Sequence, residues 1–122
     1  MARQILLLDD DDDLLESMAE LFEQLAGRRV LRAHSVAELQ GLGDRALESE
    51  LAILDINLGA RVPSGVDAMR WLMERHFAGR IVFLTGHAAS FPLVEEARRA
   101  RDVQVISKPV VCDQLLGLLG AA

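Results

Sequence analysis

Carboxylates directly follow two short apolar segments of this 122-residue sequence. Asp9 and Asp10 open a run of five aspartates immediately after Ile5–Leu8, and Asp55 immediately follows Leu51–Leu54. Carboxylates that converge at one place repel each other and raise their own pKa values unless a cation neutralises them. A divalent cation such as Mg2+, which takes oxygen ligands, would relieve this repulsion. The aspartates are therefore candidate metal ligands.

Three residue types that occur only once in the chain complete this set. Asn57 is the single asparagine, Thr85 the single threonine, and Lys108 the single lysine among 13 basic residues. Lysine presents a compact point charge and arginine a planar fork, so the two differ against a phosphoryl or carboxylate group. A cation and a lysine to neutralise charge, a carboxylate to attack and a hydroxyl to donate a hydrogen bond would suit phosphoryl chemistry.

Five short apolar segments alternate with five helical patterns, and this alternation predicts where the candidate side chains meet. The segments are Ile5–Leu8, Val30–Ala33, Leu51–Leu54, Ile81–Leu84 and Val103–Ile106. The alternation predicts an α/β fold of the (βα)5 type, with a parallel five-stranded sheet covered by helices on both faces. Ligands of such sheets bind outside the carboxyl ends of the strands. The candidate residues all lie at those ends.

Polar residues mark the starts of two helices, and leucines mark the face that the first helix buries. The predicted stripe of the first helix consists of Leu14, Met18, Leu21 and Leu25, widened by Leu15 and Phe22. Asp11 or Asp12 is well placed to cap this helix, and Asp13 in its first turn favours the helix dipole. Ser35 and Glu38 have the spacing of a capping box at the start of the second helix.

Composition restricts the class of protein. With 51% hydrophobic residues, residues 1–122 are expected to form a single domain with a real core. The net charge is −6, and five of those units come from the aspartate run, so direct nucleic-acid binding through a basic face is disfavoured. The only cysteine, Cys112, fits a reducing compartment. No apolar stretch is long enough for a membrane span, and we expect a cytoplasmic protein without membrane contact.

Four segments together resemble the receiver domain of bacterial two-component response regulators. They read Ile-Leu-Leu-Leu-Asp9-Asp10, Ile-Leu-Asp55-Ile-Asn57, Phe-Leu-Thr85-Gly86 and Lys108-Pro109. The similarity covers essentially the whole chain, and these motifs are specific jointly rather than singly. The resemblance implies a flavodoxin-like three-layer fold with strand order 2-1-3-4-5 and a cis peptide bond before the proline.

The resemblance also implies roles in phosphotransfer. Asp55 would be the phosphoacceptor, taking a phosphoryl group from a histidine kinase or a phosphotransfer protein. Asp10, Asp55 and the carbonyl group of Asn57 would hold Mg2+, and Asp9 would help through water. The domain would be no enzyme beyond catalysing its own phosphorylation and dephosphorylation.

The resemblance further implies an output. Thr85 would follow the phosphoryl group and Lys108 would pair with it, shifting the surface formed by the fourth helix, the fifth strand and the fifth helix. A downstream protein or an effector domain would read this surface, and a homodimer through it is possible. The chain would be either a single-domain regulator or a piece of a larger protein.

Two departures from the family pattern motivate an alternative function. Receivers usually carry a proline four residues and a glycine eight residues after the phosphoacceptor, whereas this chain has Gly59 and Pro63 there. Its nearest glycine is Gly65, as if two residues had been inserted. Val105 stands where receivers usually carry the aromatic residue of the output switch. The alternative is a degenerate receiver that acts as a constitutive interaction domain.

Two further alternatives have less support from the sequence. A hydrolase working through an aspartyl-phosphate would resemble the haloacid dehalogenases, which need a second aspartate two residues after the nucleophile. This chain has Asn57 there and no obvious cap domain. A flavin-binding flavodoxin would need a Ser/Thr-rich phosphate loop after the first strand, where this chain has aspartates.

Overall fold

The strands form one parallel sheet in the expected order. The computed structural model describes residues 4–59, 62–86, 92–100 and 103–120. Its strands are β1 (Gln4–Leu8), β2 (Arg29–Ala33), β3 (Leu51–Asp55), β4 (Arg80–Thr85) and β5 (Gln104–Ser107). The sheet order is β2-β1-β3-β4-β5, and all neighbouring strands are parallel. The strand order 2-1-3-4-5 is confirmed, and each strand begins and ends within one residue of its apolar segment.

Helices cover both faces of the sheet. They are α1 (Asp12–Glu20), α2 (Val36–Gly41), α3 (Gly65–Glu74), α4 (Pro92–Ala100) and α5 (Cys112–Gly120), and a four-residue helical segment lies between α2 and β3. Alternate residues of β1 belong to two separate apolar cores, with Leu6 and Leu8 in one and Ile5 and Leu7 in the other. The three-layer (βα)5 fold is therefore confirmed. Among the described residues, no helix has the length and apolar character needed to cross a membrane.

The predicted polar residues cap the first two helices. The carboxylate of Asp11 accepts the N–H groups of Asp13 and Leu14, at 3.0 and 3.2 Å. At α2, the hydroxyl of Ser35 accepts the N–H of Glu38 at 3.1 Å. The carboxylate of Glu38 accepts the N–H of His34 at 2.8 Å instead of that of Ser35, so only the Ser35 half of the predicted capping box forms. These caps fix where both helices begin, directly after β1 and β2.

The apolar face of the first helix differs from its prediction at the C-terminal end. Leu21–Leu25 forms a π-helical turn, in which hydrogen bonds join residues five apart rather than four. Leu15, Met18 and Phe22 are buried, as predicted, whereas the side chain of Leu25 is 69% exposed. The prediction that Leu25 belongs to the buried face was wrong, because the π turn breaks the 3.6-residue period on which it depended.

We predict that Phe22 and Leu25 contribute very differently to stability. Phe22→Ala should lower the free energy of unfolding by about 3–5 kcal/mol, because it leaves a cavity in the core. Leu25→Ala should change it by less than about 0.5 kcal/mol, because an exposed side chain loses little burial. Urea unfolding of both variants measures the difference. Similar losses in the two variants would contradict this interpretation and would indicate that Leu25 belongs to the buried face of an uninterrupted α-helix.

Candidate functional site

Three aspartates meet at the carboxyl edge of the sheet. Asp9 directly follows β1, and Asp55 is the last residue of β3, the neighbour of β1. Asp9, Asp10 and Asp55 each offer a carboxylate oxygen, and the three oxygens lie within 4.8 Å of one another. Asp9 is 0% exposed and Asp55 is 4% exposed, whereas Asp10 faces solvent. The carboxylates of Asp9 and Asp55 are therefore buried, whereas the carboxylate of Asp10 lies beside them at the protein surface.

Lys108 reaches both buried carboxylates. Its ammonium group donates hydrogen bonds to Oδ2 of Asp9 at 3.0 Å and to Oδ2 of Asp55 at 3.3 Å. Its backbone N–H donates to the carbonyl oxygen of Thr85 at 2.7 Å, and its peptide bond to Pro109 is cis, as the resemblance implied. One ammonium group between two carboxylates leaves an excess negative charge in the site, even before the exposed Asp10 is counted.

Backbone N–H groups hold the other oxygen of each buried carboxylate. The N–H of Asp11 donates to Oδ1 of Asp9 at 2.9 Å, and the N–H of Asn57 donates to Oδ1 of Asp55 at 3.3 Å. The side-chain oxygen of Asn57 accepts the N–H of Gly59 at 3.1 Å. Each buried carboxylate is thus oriented by one loop N–H group and by the shared lysine.

The pKa values of Asp55 and Lys108 are both raised, but by different causes. Burial raises the pKa of Asp55 to about 7, and the charge of Asp9 adds to the rise, while Lys108 and the N–H of Asn57 oppose it. Burial opposes the charged form of Lys108, but its hydrogen bond to Asp9 and the charges of both aspartates outweigh burial and raise its pKa. The lysine therefore stays charged, and Asp55 lacks the positive charge that would hold it fully ionised.

The structure places the remaining candidate residues at the same edge. Thr85 is the last residue of β4, the other neighbour of β3, and is 2% exposed. Asn57 lies in the exposed loop two residues after Asp55. All the candidates from the sequence therefore lie at one edge of the sheet, namely Asp9, Asp10, Asp55, Asn57, Thr85 and Lys108.

His34 belongs to this region, although no sequence pattern singled it out. Its Nδ1 lies 2.9 Å from Oε1 of Glu38, and its Nε2 contacts Oδ1 of Asp12. Hydrogen bonds to Glu38 and then to Asp12 raise the pKa of the imidazole. The ring thus ties the first residue of α1 to α2, beside the aspartates. Glu38 lies four residues after His34, but Asp12 lies 22 residues before it, so the three residues form no recognisable motif.

Comparison with known proteins assigns the chain to a family. Residues 5–119 match the response regulator receiver domain. The photosynthetic apparatus regulatory protein RegA of Cereibacter sphaeroides is 32% identical over 113 residues, which cover 93% of this chain and 59% of RegA. The chain therefore spans less than two thirds of the length of this curated relative.

Solved structures share the fold. A CheY-like response regulator receiver domain protein from Methanospirillum hungatei JF-1 superposes with a TM-score of 0.81 and 24% identity, covering 98% of this chain and 92% of that chain. A response regulator receiver domain protein from Clostridium thermocellum has a TM-score of 0.80 and 25% identity, covering 98% and 93%. Together with the family match, the parallel five-stranded sheet with aspartates at its carboxyl edge places the chain in the class of signalling receiver domains. The chain belongs to the response regulator receiver domain family of two-component systems.

We predict that Asp55→Asn stabilises the metal-free domain at alkaline pH. Because the folded-state pKa of Asp55 lies above its ordinary value, folding binds a proton between about pH 4 and pH 7, and stability falls across that interval. The variant should escape this loss and gain about 1–3 kcal/mol at pH 8, which is less than the roughly 4 kcal/mol that such a shift would give without relaxation of the site. Near pH 4 the gain should largely vanish.

Chemical denaturation at both pH values, without divalent cations, measures this gain. Glu20→Gln is the matched control, because it removes an exposed carboxylate of α1 and should change stability little at either pH. A loss of stability in Asp55→Asn at pH 8 would contradict the electrostatic picture of the site.

Proposed function

We propose that Asp55 accepts a phosphoryl group from a phosphohistidine of a histidine kinase or a phosphotransfer protein. The observation that carries the proposal is the hydrogen bond between Lys108 and Asp55, at 3.3 Å, beside two further carboxylates. A buried aspartate that served only to end a strand would not need a lysine and two further carboxylates beside it. The parallel β1 and β3 strands support the proposal, because they hold both buried carboxylates at one edge of the sheet, beside the exposed Asp10.

The transfer is a nucleophilic displacement at phosphorus. A carboxylate oxygen of Asp55 attacks the phosphorus atom, a P–O bond forms as the P–N bond breaks, and the electron pair remains on the leaving imidazole nitrogen. Lys108 neutralises charge on the phosphoryl oxygens as they arrive. The hydroxyl of Thr85 then follows the phosphoryl group by hydrogen bonding. Catalysis of this transfer and of its hydrolysis is the only enzymatic activity that we assign to the domain.

The aspartates form a suitable donor set for Mg2+. Hard oxygen ligands match this cation, and the excess negative charge of the site is of the sign that it compensates. Asp10, Asp55 and the carbonyl group of Asn57 would hold the ion, with Asp9 acting through water. When bound, it supplies positive charge that neutralises the carboxylates and the incoming phosphoryl group.

We predict that Mg2+ raises the melting temperature and that Asp10→Asn removes most of this gain. A ligand that binds only the folded state stabilises it, by about 1.4 kcal/mol at ten times its dissociation constant. Asp13→Asn is the matched control, because it removes an exposed charge of the same aspartate run outside the cluster. If millimolar magnesium does not change the wild-type melting temperature, the proposed metal site is wrong and the aspartate run is only a solvated helix cap.

We predict that a small phosphodonor with magnesium adds one phosphoryl group to the chain, measured by the mass of the intact protein. Asp55→Ala should abolish the adduct. Lys108→Arg should slow its formation, because a guanidinium fork does not reproduce the point charge of an ammonium group. The proposal fails if the wild-type chain gains no mass or if the adduct persists in Asp55→Ala.

The output of this domain is proposed to be a change in the surface formed by α4, β5 and α5, read by a downstream protein or an effector domain. Phosphorylation would shift the equilibrium between two conformations of this surface. Residues 1–122 would form one such receiver domain, located in the cytoplasm.

Val105 favours a second candidate, a constitutive interaction domain. Its half-buried side chain packs against the apolar core formed with α2, α3 and α4, and it provides no aromatic ring to rotate between two positions. This candidate predicts phosphorylation without any change in the spectra of the domain or in its affinity for a partner. A clear spectral shift on phosphorylation would exclude it.

A further inference from the structure

Helix α3 begins in direct contact with the backbone of the phosphoacceptor. A Cβ atom at Gly65, the first residue of α3, would lie 2.3 Å from the carbonyl oxygen of Asp55 and 2.9 Å from Cα of Ile56. The N–H of Gly65 donates to the carbonyl oxygen of Ile56 at 3.1 Å. Its φ is not in the left-handed region, so the position requires glycine for space alone.

Neither side of this contact can move away freely. Asp55 pairs with Leu84 of β4, and the N–H of Ile56 donates to the carbonyl oxygen of Leu84 at 2.9 Å. On the other side, the first turns of α3 carry Val66 and Met69, both fully buried in the core. A side chain at position 65 would therefore displace either the end of β3 or the packed helix.

We propose that Gly65 is a positioning residue for phosphoryl transfer. It allows α3 to pack against the carbonyl group of Asp55 and so sets the place of the Asp55 carboxylate relative to Lys108. Their hydrogen bond is already 3.3 Å long, near the upper limit for such a bond, so a small displacement of the strand end breaks it. The inference rests on the proposed function of Asp55 and adds a residue that touches neither phosphate nor metal.

Gly65→Ala tests this role through magnesium affinity and phosphorylation. We expect the affinity for Mg2+, measured by calorimetry, to fall about tenfold or more, as when other supporting residues of metal sites are changed. The rate of phosphorylation by a small phosphodonor should fall with it. Gly41→Ala is the matched control, because no heavy atom lies within 4 Å of the added Cβ, and it should preserve both quantities.

Val66→Ala separates positioning from stability. It removes a buried side chain from the same helical turn, so it should lower stability while keeping the magnesium affinity of the wild type. If Gly65→Ala is unfolded, an osmolyte that favours the folded state restores it for the same measurement, with Val66→Ala under identical conditions.

The outcomes distinguish the two proposals. A wild-type chain that neither binds magnesium nor accepts phosphate contradicts the proposed function of Asp55. A wild type that does both, together with a folded Gly65→Ala of equal affinity and rate, overturns the role of Gly65 alone. Equal losses of affinity in Gly65→Ala and Val66→Ala would also overturn it, because the effect would then come from stability.

Discussion

Two buried carboxylates, Asp9 and Asp55, share one ammonium group, and this unequal charge is the constraint on which the site depends. Ionised carboxylates resist transfer from water unless hydrogen bonds and opposite charge compensate them. Lys108 and the N–H groups of the adjoining loops supply part of this compensation. The deficit of positive charge that remains favours the binding of a divalent cation. The proposed phosphorylation of Asp55 would add negative charge and would therefore depend on this cation.

The fold tolerates this charge because it fixes the surrounding backbone. β1 and β3 lie inside the sheet, and their side chains are buried on both faces, so their carboxyl ends have little freedom to separate. On one side, α3 packs against the backbone of Asp55 at Gly65. On the other, Lys108 is held by a backbone hydrogen bond to the end of β4. If this edge were less rigid, the two carboxylates could move apart and reach water. The repulsion between them would then be relieved.

Much of this arrangement follows from the sequence, because strands buried on both faces are continuous apolar segments. Those segments locate the strand ends within one residue, and the rule for parallel sheets then brings Asp9, Asp55 and Lys108 together. The exposure of Leu25 could not be predicted, because a π turn changes the helical period without a residue signature. The contact of His34 with Asp12 and the packing of Gly65 against Asp55 could not be predicted either, because Asp12 is distant in the sequence and Gly65 meets backbone atoms.

The most direct test is an NMR titration of the side-chain carboxyl carbon of Asp55, with and without magnesium. Without magnesium, we expect a titration midpoint raised to about 7 by burial and by the charge of Asp9. With saturating magnesium, the midpoint should move well below that value, because the cation stabilises the ionised form. A midpoint near the ordinary value of about 3.9 in both conditions would contradict the claim that the buried charge of Asp9 and Asp55 is only partly compensated without magnesium.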